Sequence, residues 1–482
     1  VTRPLSIVWF RRDLRLDDNP ALREASLRGA VVPVYVWSPD AFGDWPPGAA
    51  SRWWLHHSLS KLNERLAAAG SRLILLSGPP EDLLVETAKS TGADTVLWNG
   101  LHEKTSREEE DRVSGALRDA GVRAESFGGA ALFDPDAVRT SQGGPFKVFT
   151  PFWKACLALP APFGPLPPPK TLSPPPAWPG SVALDDLGLL PAADRAGGLR
   201  ESWRPGETGA GEALEKFLAG TVRSYTASRN RPDIDGTSRL SPHLHFGEIS
   251  PRRVWHETGA RSRSRRPEQT AAPADDFLRQ IGWREFAHHL IRHFPHTSGA
   301  PLRPEFLDFP WRKDTAGLEA WRKGATGYPI VDAGMRELWT TGWMHNRVRM
   351  VAASFLVKDL LVHWLEGARW FWETLVDADL ANNTLGWQWT AGCGADAAPF
   401  YRIFNPVIQG EKFDPDGKYV GRWVPELAGL PSRWIHKPWE APALVLGKAG
   451  VRLGKDYPER IVDHYAARDR ALEALARIKE KR

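Results

Sequence analysis

A chain of 482 residues exceeds what one hydrophobic core usually organises, so two or three domains are expected. Lys and Arg outnumber Asp and Glu by 63 to 58, and the net charge of +5 permits a polyanionic partner without requiring one. Two cysteines, Cys156 and Cys393, are too few for a four-cysteine iron-sulfur cluster or a disulfide framework; they imply no metal site and point to a reducing, cytoplasmic setting.

From the N-terminus, the apolar run Ser6 to Phe10 is too short for the core of a secretion signal and is followed at once by arginines, so export by that route is not expected. No stretch approaches the ~20 apolar residues that span a bilayer, and no membrane partner is expected. Strand-like runs at Ser6 to Phe10, Val31 to Trp37, Leu73 to Ser77 and Thr95 to Trp98 alternate with helical patterns at Trp53 to Ala69 and Glu81 to Thr91. That alternation predicts βαβ units and a parallel sheet, a Rossmann-like α/β domain over residues 1–135. Where a dinucleotide fold carries Gly-x-Gly-x-x-Gly, this chain has Arg11, Arg12 and Asp13, so pyrophosphate docking in the Rossmann manner is not expected.

Residues 136–206 include PAPFGPLPPPKTLSPPPAWPG, which suits neither a long helix nor an inner strand and reads as an extended connector. From 207 to 482 the pattern is almost wholly helical, with segments near Glu212 to Asn230, Asp275 to Phe294, Gly334 to Thr341, Met344 to Glu366 and Trp370 to Ala378. Within it, the basic stretch Arg252 to Arg266 reads as a solvated loop.

Four segments concentrate chemistry. In DADLANNTLGWQWTAGCGADAAPFYRIFNP, residues 377 to 406, Asp377 and Asp379 supply acceptors, Asn382 and Asn383 both donate and accept, and Trp387 and Trp389 lie two apart, on opposite sides of a helix. In Tyr225 to Ser250, a Gly236-Thr237-Ser238 turn before Leu240 and Ser241 offers hydroxyls and backbone N–H groups suited to phosphate. The others are FLRQIGWREF from Phe277 to Phe286 and GWMHNRVRM from Gly342 to Met350, where Asn346 and Met350 share a helix face.

Together with IVWFRRDLRLDDNPAL at 7 to 22 and GEKFDPDG at 410 to 417, these segments resemble the DNA photolyase and cryptochrome family along nearly the whole chain, most closely bacterial cyclobutane pyrimidine dimer photolyases of class I or class III type. The resemblance implies an α/β domain, a long connector and an all-α, FAD-binding C-terminal domain that also binds UV-damaged DNA. Tyr225, Thr237, Ser238, Arg239, Leu240 and Ser241 are implied FAD contacts, mostly at its phosphates, with Phe277 lining the pocket. Arg349, Asp377 and Asp379 are expected to reach the flavin and adenosine parts, with an Arg349 to Asp377 ion pair, and Asn383 to face the flavin N5. Trp387, Trp364 and Trp311 match the family's chain of electron-carrying tryptophans.

The lesion cavity is implied at Gln280, Trp283, Asn346, Arg347, Met350 and Trp389, with Arg402 and Gln409 toward the DNA backbone. The implied reaction is light-driven electron transfer from reduced FAD to a flipped-out dimer; the alternatives are a cryptochrome-type photoreceptor and a (6-4) photolyase. Gln280 stands where cyclobutane-dimer enzymes commonly have Glu, but Asn346 and Met350 stand where (6-4) enzymes have histidines, and neither can act as a general acid. His345 beside them is read as structural. Thr105 and Ser106 replace the Asn-Glu pair of the folate clamp, so a methenyltetrahydrofolate antenna held differently is preferred over a deazaflavin or none, with Glu103 and Trp45 as guessed contacts, each read mainly as a surface feature. A monomer working at the bacterial nucleoid is the remaining expectation.

Overall fold

A computed structural model describes residues 4–190, 197–264, 267–397 and 401–480, with the side chains of 261–264 and 267–272 left aside. Five strands, β1 (Leu5–Phe10), β2 (Ala30–Trp37), β3 (Ile74–Ser77), β4 (Thr95–Asn99) and β5 (Arg123–Phe127), form one parallel sheet in the order β3-β2-β1-β4-β5. Every residue of β1, β2 and β4 is buried, which explains their unbroken apolar runs: helices such as Pro20–Arg28 and Pro80–Thr91 leave no wet face to call for alternation. The expected strands appear within one residue at each end. The edge strand β5 was not expected, because RAESF has no buried position and hence no apolar signal.

The chain divides into two compact units. The first comprises Val1–Arg223, Ser238–Pro295 and Val376–Ala381; the second comprises Ser224–Thr237, His296–Leu375 and Asn382–Arg482.

In the first unit, strand order reverses between β1 and β4, and the chain fills that switch point with its own polar groups. Asp13 accepts from the Arg11 amide at 2.7 Å and from Asn99 Nδ2 at 2.6 Å, while the Arg11 guanidinium is clamped by Glu109 and Glu110. The loop after β1 is also tied to the segment beyond Ser238. Leu14 donates to the Phe246 carbonyl at 3.1 Å, Arg15 to the Gly247 carbonyl at 2.9 Å, and Arg252 pairs with Asp18 at 2.8 Å. Gly247, with φ of +67°, has no room for a side chain, since a Cβ there would lie 2.1 Å from the Arg12 carbonyl oxygen.

Four readings need correction. The basic stretch is not a loop: Pro251–Ser264 is helical, Val254 and Thr258 are buried, and Arg253, one of the charges that suggested solvation, is spent on Asp17 at 3.0 Å and Glu257 at 2.7 Å. Arg265 and Arg266 lie outside the described residues. In the second unit, Met344 to Glu366 is not one helix but Asn346–Ser354, a π turn at Phe355–Asp359, a left-handed Leu361 and then Trp364–Thr374. Every residue from 351 to 362 is buried, so no polar face marked the break. Likewise Trp370 to Ala378 stops being helical at Thr374, and Glu212 to Asn230 is broken after Ala219 by Gly220.

The helix Pro267–His293 is pinned to the loop after the sheet by Glu285, 3% exposed, whose carboxylate accepts from the amides of Leu132 at 2.7 Å and Phe133 at 3.2 Å. Burial pushes that carboxyl up from 4.5 to about 7, against the pull of Arg284 and the two amides. Its folded value thus lies above its unfolded one, so the associated stability is present below about pH 4.5 and is lost as pH rises through 7. Glu285→Gln should therefore flatten the pH dependence of unfolding free energy between pH 4.5 and 7 by about 3 kcal/mol, measured by denaturant titration of both proteins.

Candidate functional site

Asp379 is 6% exposed and lies in the short segment that the first unit borrows from late in the chain. Around it stand Arg12 from the loop after β1 at 3.8 Å, His245 from the end of Ser241–His245 at 3.4 Å, and His288 from Pro267–His293 at 4.0 Å. Arg12 also pairs with Glu103, which follows β4. Burial alone would push both acids up, but the hydrogen bond from His245 and the charge of Arg12 hold Asp379 well below the usual carboxylate range, and Arg12 holds Glu103 at about 2. Burial drives His288 the other way, down to about 3, so it stays neutral. Arg12, His102, Glu103, Arg284, His288 and Asp379 line one cavity of the first unit, whose fixed charges suit a polar ligand. Glu103, expected at the surface, is 3% exposed. Of this cluster the sequence singled out Asp379 as a cofactor contact and Glu103 as a guessed antenna contact; Arg12 was visible as one of the residues that stand where a dinucleotide fold carries its glycines.

The other cofactor positions of the first unit are a turn from Ser238 to Ser241 and two buried residues, Phe277 and Asp377. Ser238 Oγ accepts from the Leu240 amide at 3.4 Å, Arg239 adopts a left-handed φ of +52° with its guanidinium 4.3 Å from the Trp203 ring, Leu240 is buried and Ser241 is exposed at a helix start. Phe277 is buried against Phe217, with centroids 4.5 Å apart, and Asp377 is buried.

In the second unit, Tyr225 is buried, Thr237 is half-buried, and Gly236 before it packs so tightly that a Cβ would fall 2.7 Å from the Ser228 carbonyl oxygen. Arg349 donates to the Met344 carbonyl at 2.7 Å, and its guanidinium lies 5.9 Å from the Trp343 ring centroid. Asn383 Nδ2 donates to the Ala368 carbonyl at 3.1 Å, and its own carbonyl oxygen is an acceptor.

The three tryptophans of the second unit that match the family's electron carriers fall in two ring series. Trp311 meets His363 at 5.2 Å, and His363 stacks on Trp364 at 5.7 Å. Trp387, 2% exposed, meets Phe371 at 5.0 Å and Trp321 at 6.1 Å, and its ring lies over Gly367, one turn after Trp364. Trp321 was not foreseen; among 23 tryptophans it carried no motif to distinguish it. Trp389 is half-buried, as expected of the opposite helix side.

Among the lesion positions, Gln280 and Trp283 are half-buried on Pro267–His293, with the Gln280 amide donating to the Asp276 carbonyl at 3.2 Å. In the second unit, Asn346 Nδ2 lies 4.0 Å from Met350 Sδ, Arg347 donates to Asn230 at 2.9 Å, and Arg402 is exposed with Gln409 half-buried. His345 is 3% exposed and its Nδ1 accepts from the Arg347 amide at 3.1 Å, the role of a helix cap. Among the described residues there is no group of three or more His, Cys, Asp or Glu placed to hold a metal ion, and no helix is long and apolar enough to cross a membrane.

Residues 6–173 match the family model described as DNA photolyase, and residues 277–477 match the FAD binding domain of DNA photolyase. A deoxyribodipyrimidine photo-lyase from Agrobacterium fabrum (strain C58) is 50% identical over 476 residues, 98% of each chain. Cryptochrome-2 from Arabidopsis thaliana is 41% identical over 98% of this chain and 79% of its own. The crystal structure of a bacterial class III photolyase from Agrobacterium tumefaciens matches with a TM-score of 0.95 at 49% identity, covering 100% of this chain and 98% of that one.

A Cβ at position 367 would lie 2.0 Å from Trp387 Cη2, whereas one at Gly386, exposed on the same helix as Trp387, would meet nothing within 4 Å. Gly367→Ala should destabilise by roughly 1–3 kcal/mol through overpacking. Gly386→Ala should stabilise by up to about 1 kcal/mol through helix propensity. Paired denaturant titrations give both numbers.

Proposed function

We propose, since this chain belongs to the DNA photolyase and cryptochrome family, that it uses light to repair cyclobutane pyrimidine dimers in DNA. FAD, when bound in its reduced form, supplies the light-driven electron that opens the dimer and regains it afterwards, with no net redox change. The residues fit that cofactor: a turn with hydroxyls and a left-handed residue suits phosphates, and buried carboxylates suit N–H and O–H groups. Tyr225, Thr237, Ser238, Arg239, Leu240, Ser241, Phe277, Arg349, Asp377, Asp379 and Asn383 are the residues proposed to hold it.

The observation that carries the repair reading is Asn383. With its amide N–H given to Ala368, its carbonyl is a fixed acceptor for a flavin N–H, which favours the reduced form, and an amide has no proton to deliver. Trp387, Trp364 and Trp311 are the proposed electron carriers that bring the oxidised cofactor to its working state, a task separate from repair.

Gln280, Trp283, Asn346, Arg347, Met350 and Trp389 are proposed to receive the lesion, with Arg402 and Gln409 toward the DNA backbone. An aromatic wall excludes water from the dimer, arginines neutralise phosphates, and an amide at position 280 donates without first having to be protonated. Asn346 and Met350, side by side, offer no imidazole acid, which favours the cyclobutane dimer over the (6-4) lesion. A methenyltetrahydrofolate antenna, held without the Asn-Glu pair that Thr105 and Ser106 replace, completes the reading, together with a monomeric cytoplasmic protein and a division at 1–135, 136–206 and 207–482.

Anaerobic illumination of the reduced protein with an oligonucleotide carrying one thymine cyclobutane dimer should remove the dimer in light and not in darkness, followed by chromatography. A (6-4) oligonucleotide should remain unchanged, and no loss of either lesion by an FAD-loaded, photoreducible protein would sink the repair reading. Trp387→Phe should slow photoreduction of the oxidised cofactor on the order of tenfold or more while leaving repair by chemically reduced protein nearly intact; equal loss of both would overturn the electron-carrier assignment.

A further inference from the structure

Trp283 is half-buried on the helix Pro267–His293, where a lone indole would be free to swing about two side-chain torsions. It is not alone. The ring of Phe149 lies face to face with it, centroids 3.8 Å apart and planes within 7°. Phe149 opens the helix Phe149–Ala158 in the connector and is 1% exposed. Its own freedom is removed on several sides: Phe286 meets it edge-on at 5.9 Å, Trp153 lies nearly parallel at 6.4 Å, and the Arg279 guanidinium sits 5.3 Å from its centroid.

The helix that carries Phe149 is itself fixed. Phe149, Phe152 and Cys156 recur at i, i+3 and i+7 and are all buried, and Phe152 packs on Phe286 at 5.1 Å. Just ahead of it, the Phe146 amide donates to His289 Nε2 at 3.0 Å. Gly282, next to Trp283, leaves the space that Trp153 occupies, since a Cβ there would fall 2.7 Å from the Trp153 ring. The result is a stack built from connector residues that covers one face of Trp283 and fixes its plane.

We infer that Phe149 is the positioning residue for Trp283, setting the plane of that indole in advance for a flat, flipped-out pyrimidine dimer. The inference rests on the lesion-contacting role proposed for Trp283. A wall already ordered spares the complex the cost of ordering it, so the effect falls on lesion affinity and leaves general DNA affinity alone.

The test is a double-mutant cycle on the FAD-loaded protein, comparing affinity for a dimer-containing oligonucleotide with affinity for the same undamaged oligonucleotide. Phe149→Leu is expected to weaken dimer binding about 3- to 10-fold, with undamaged-DNA binding, FAD content and the rate of FAD photoreduction unchanged. In the Trp283→Leu background, Phe149→Leu should cost nothing further. Full dimer affinity in Trp283→Leu would remove the lesion-contacting role of Trp283, and the inference with it. Loss in Trp283→Leu combined with full affinity in Phe149→Leu, or with additive losses in the double variant, would overturn the positioning role alone. Phe149→Met keeps volume without a flat face and so carries the same test if Phe149→Leu fails to fold; it should show the same selective loss, and full dimer affinity would overturn the role.

Discussion

A carboxylate that is 6% exposed stays charged only where cations and donors surround it, and meeting that condition at Asp379 gathers much of the first unit. Arg12 comes from the end of β1, Glu103 from the end of β4, His245 from the turn-rich stretch after Ser238, and His288 from the longest helix of that unit. Four stretches distant in sequence thus meet around Asp379 and the Arg12 that it shares with Glu103. The loop after β1 makes this possible by being used twice: Arg11 and Asp13 close the sheet's switch point from within, while Arg12 turns to the acids. In the dinucleotide fold that place belongs to glycines and a pyrophosphate. Here it is filled by the chain.

What the sequence revealed, and what it hid, follows from where polarity contrasts with burial. The buried strands β1 to β4 were legible because their apolar runs end in turn residues; β5, with no buried position, left no mark. The helical breaks around the π turn at Phe355–Asp359 were hidden for the opposite reason, since an entirely buried stretch has no polar face to lose phase. For the site, motif residues such as Asp379, Asn383 and Trp283 were visible through their spacing and family resemblance. Their supports were not, because Phe149 and Gly367 act through contacts with residues 134 and 20 positions away, respectively.

Tryptophan is used in two distinct ways. Trp387 is packed so closely that only glycine fits beneath it at position 367, which fixes both its distance and its orientation relative to the helix Trp364–Thr374. Trp283 instead keeps part of its surface open while the ring of Phe149 covers one face. The first arrangement suits a group that exchanges electrons with its neighbours. The second suits one that meets a ligand.

The bond from Asn383 to the Ala368 carbonyl also has an evolutionary meaning. An aspartate at the same backbone position would turn an oxygen toward that carbonyl, and two acceptors cannot share a bond unless one of them carries hydrogen. Facing that carbonyl, the acid is favoured in its neutral state, so a change of one functional group turns a rigid acceptor into a store of one transferable proton. The carbonyl of Ala368, a residue with no polar side chain and no motif of its own, would thereby bias the protonation state of an acid introduced at position 383.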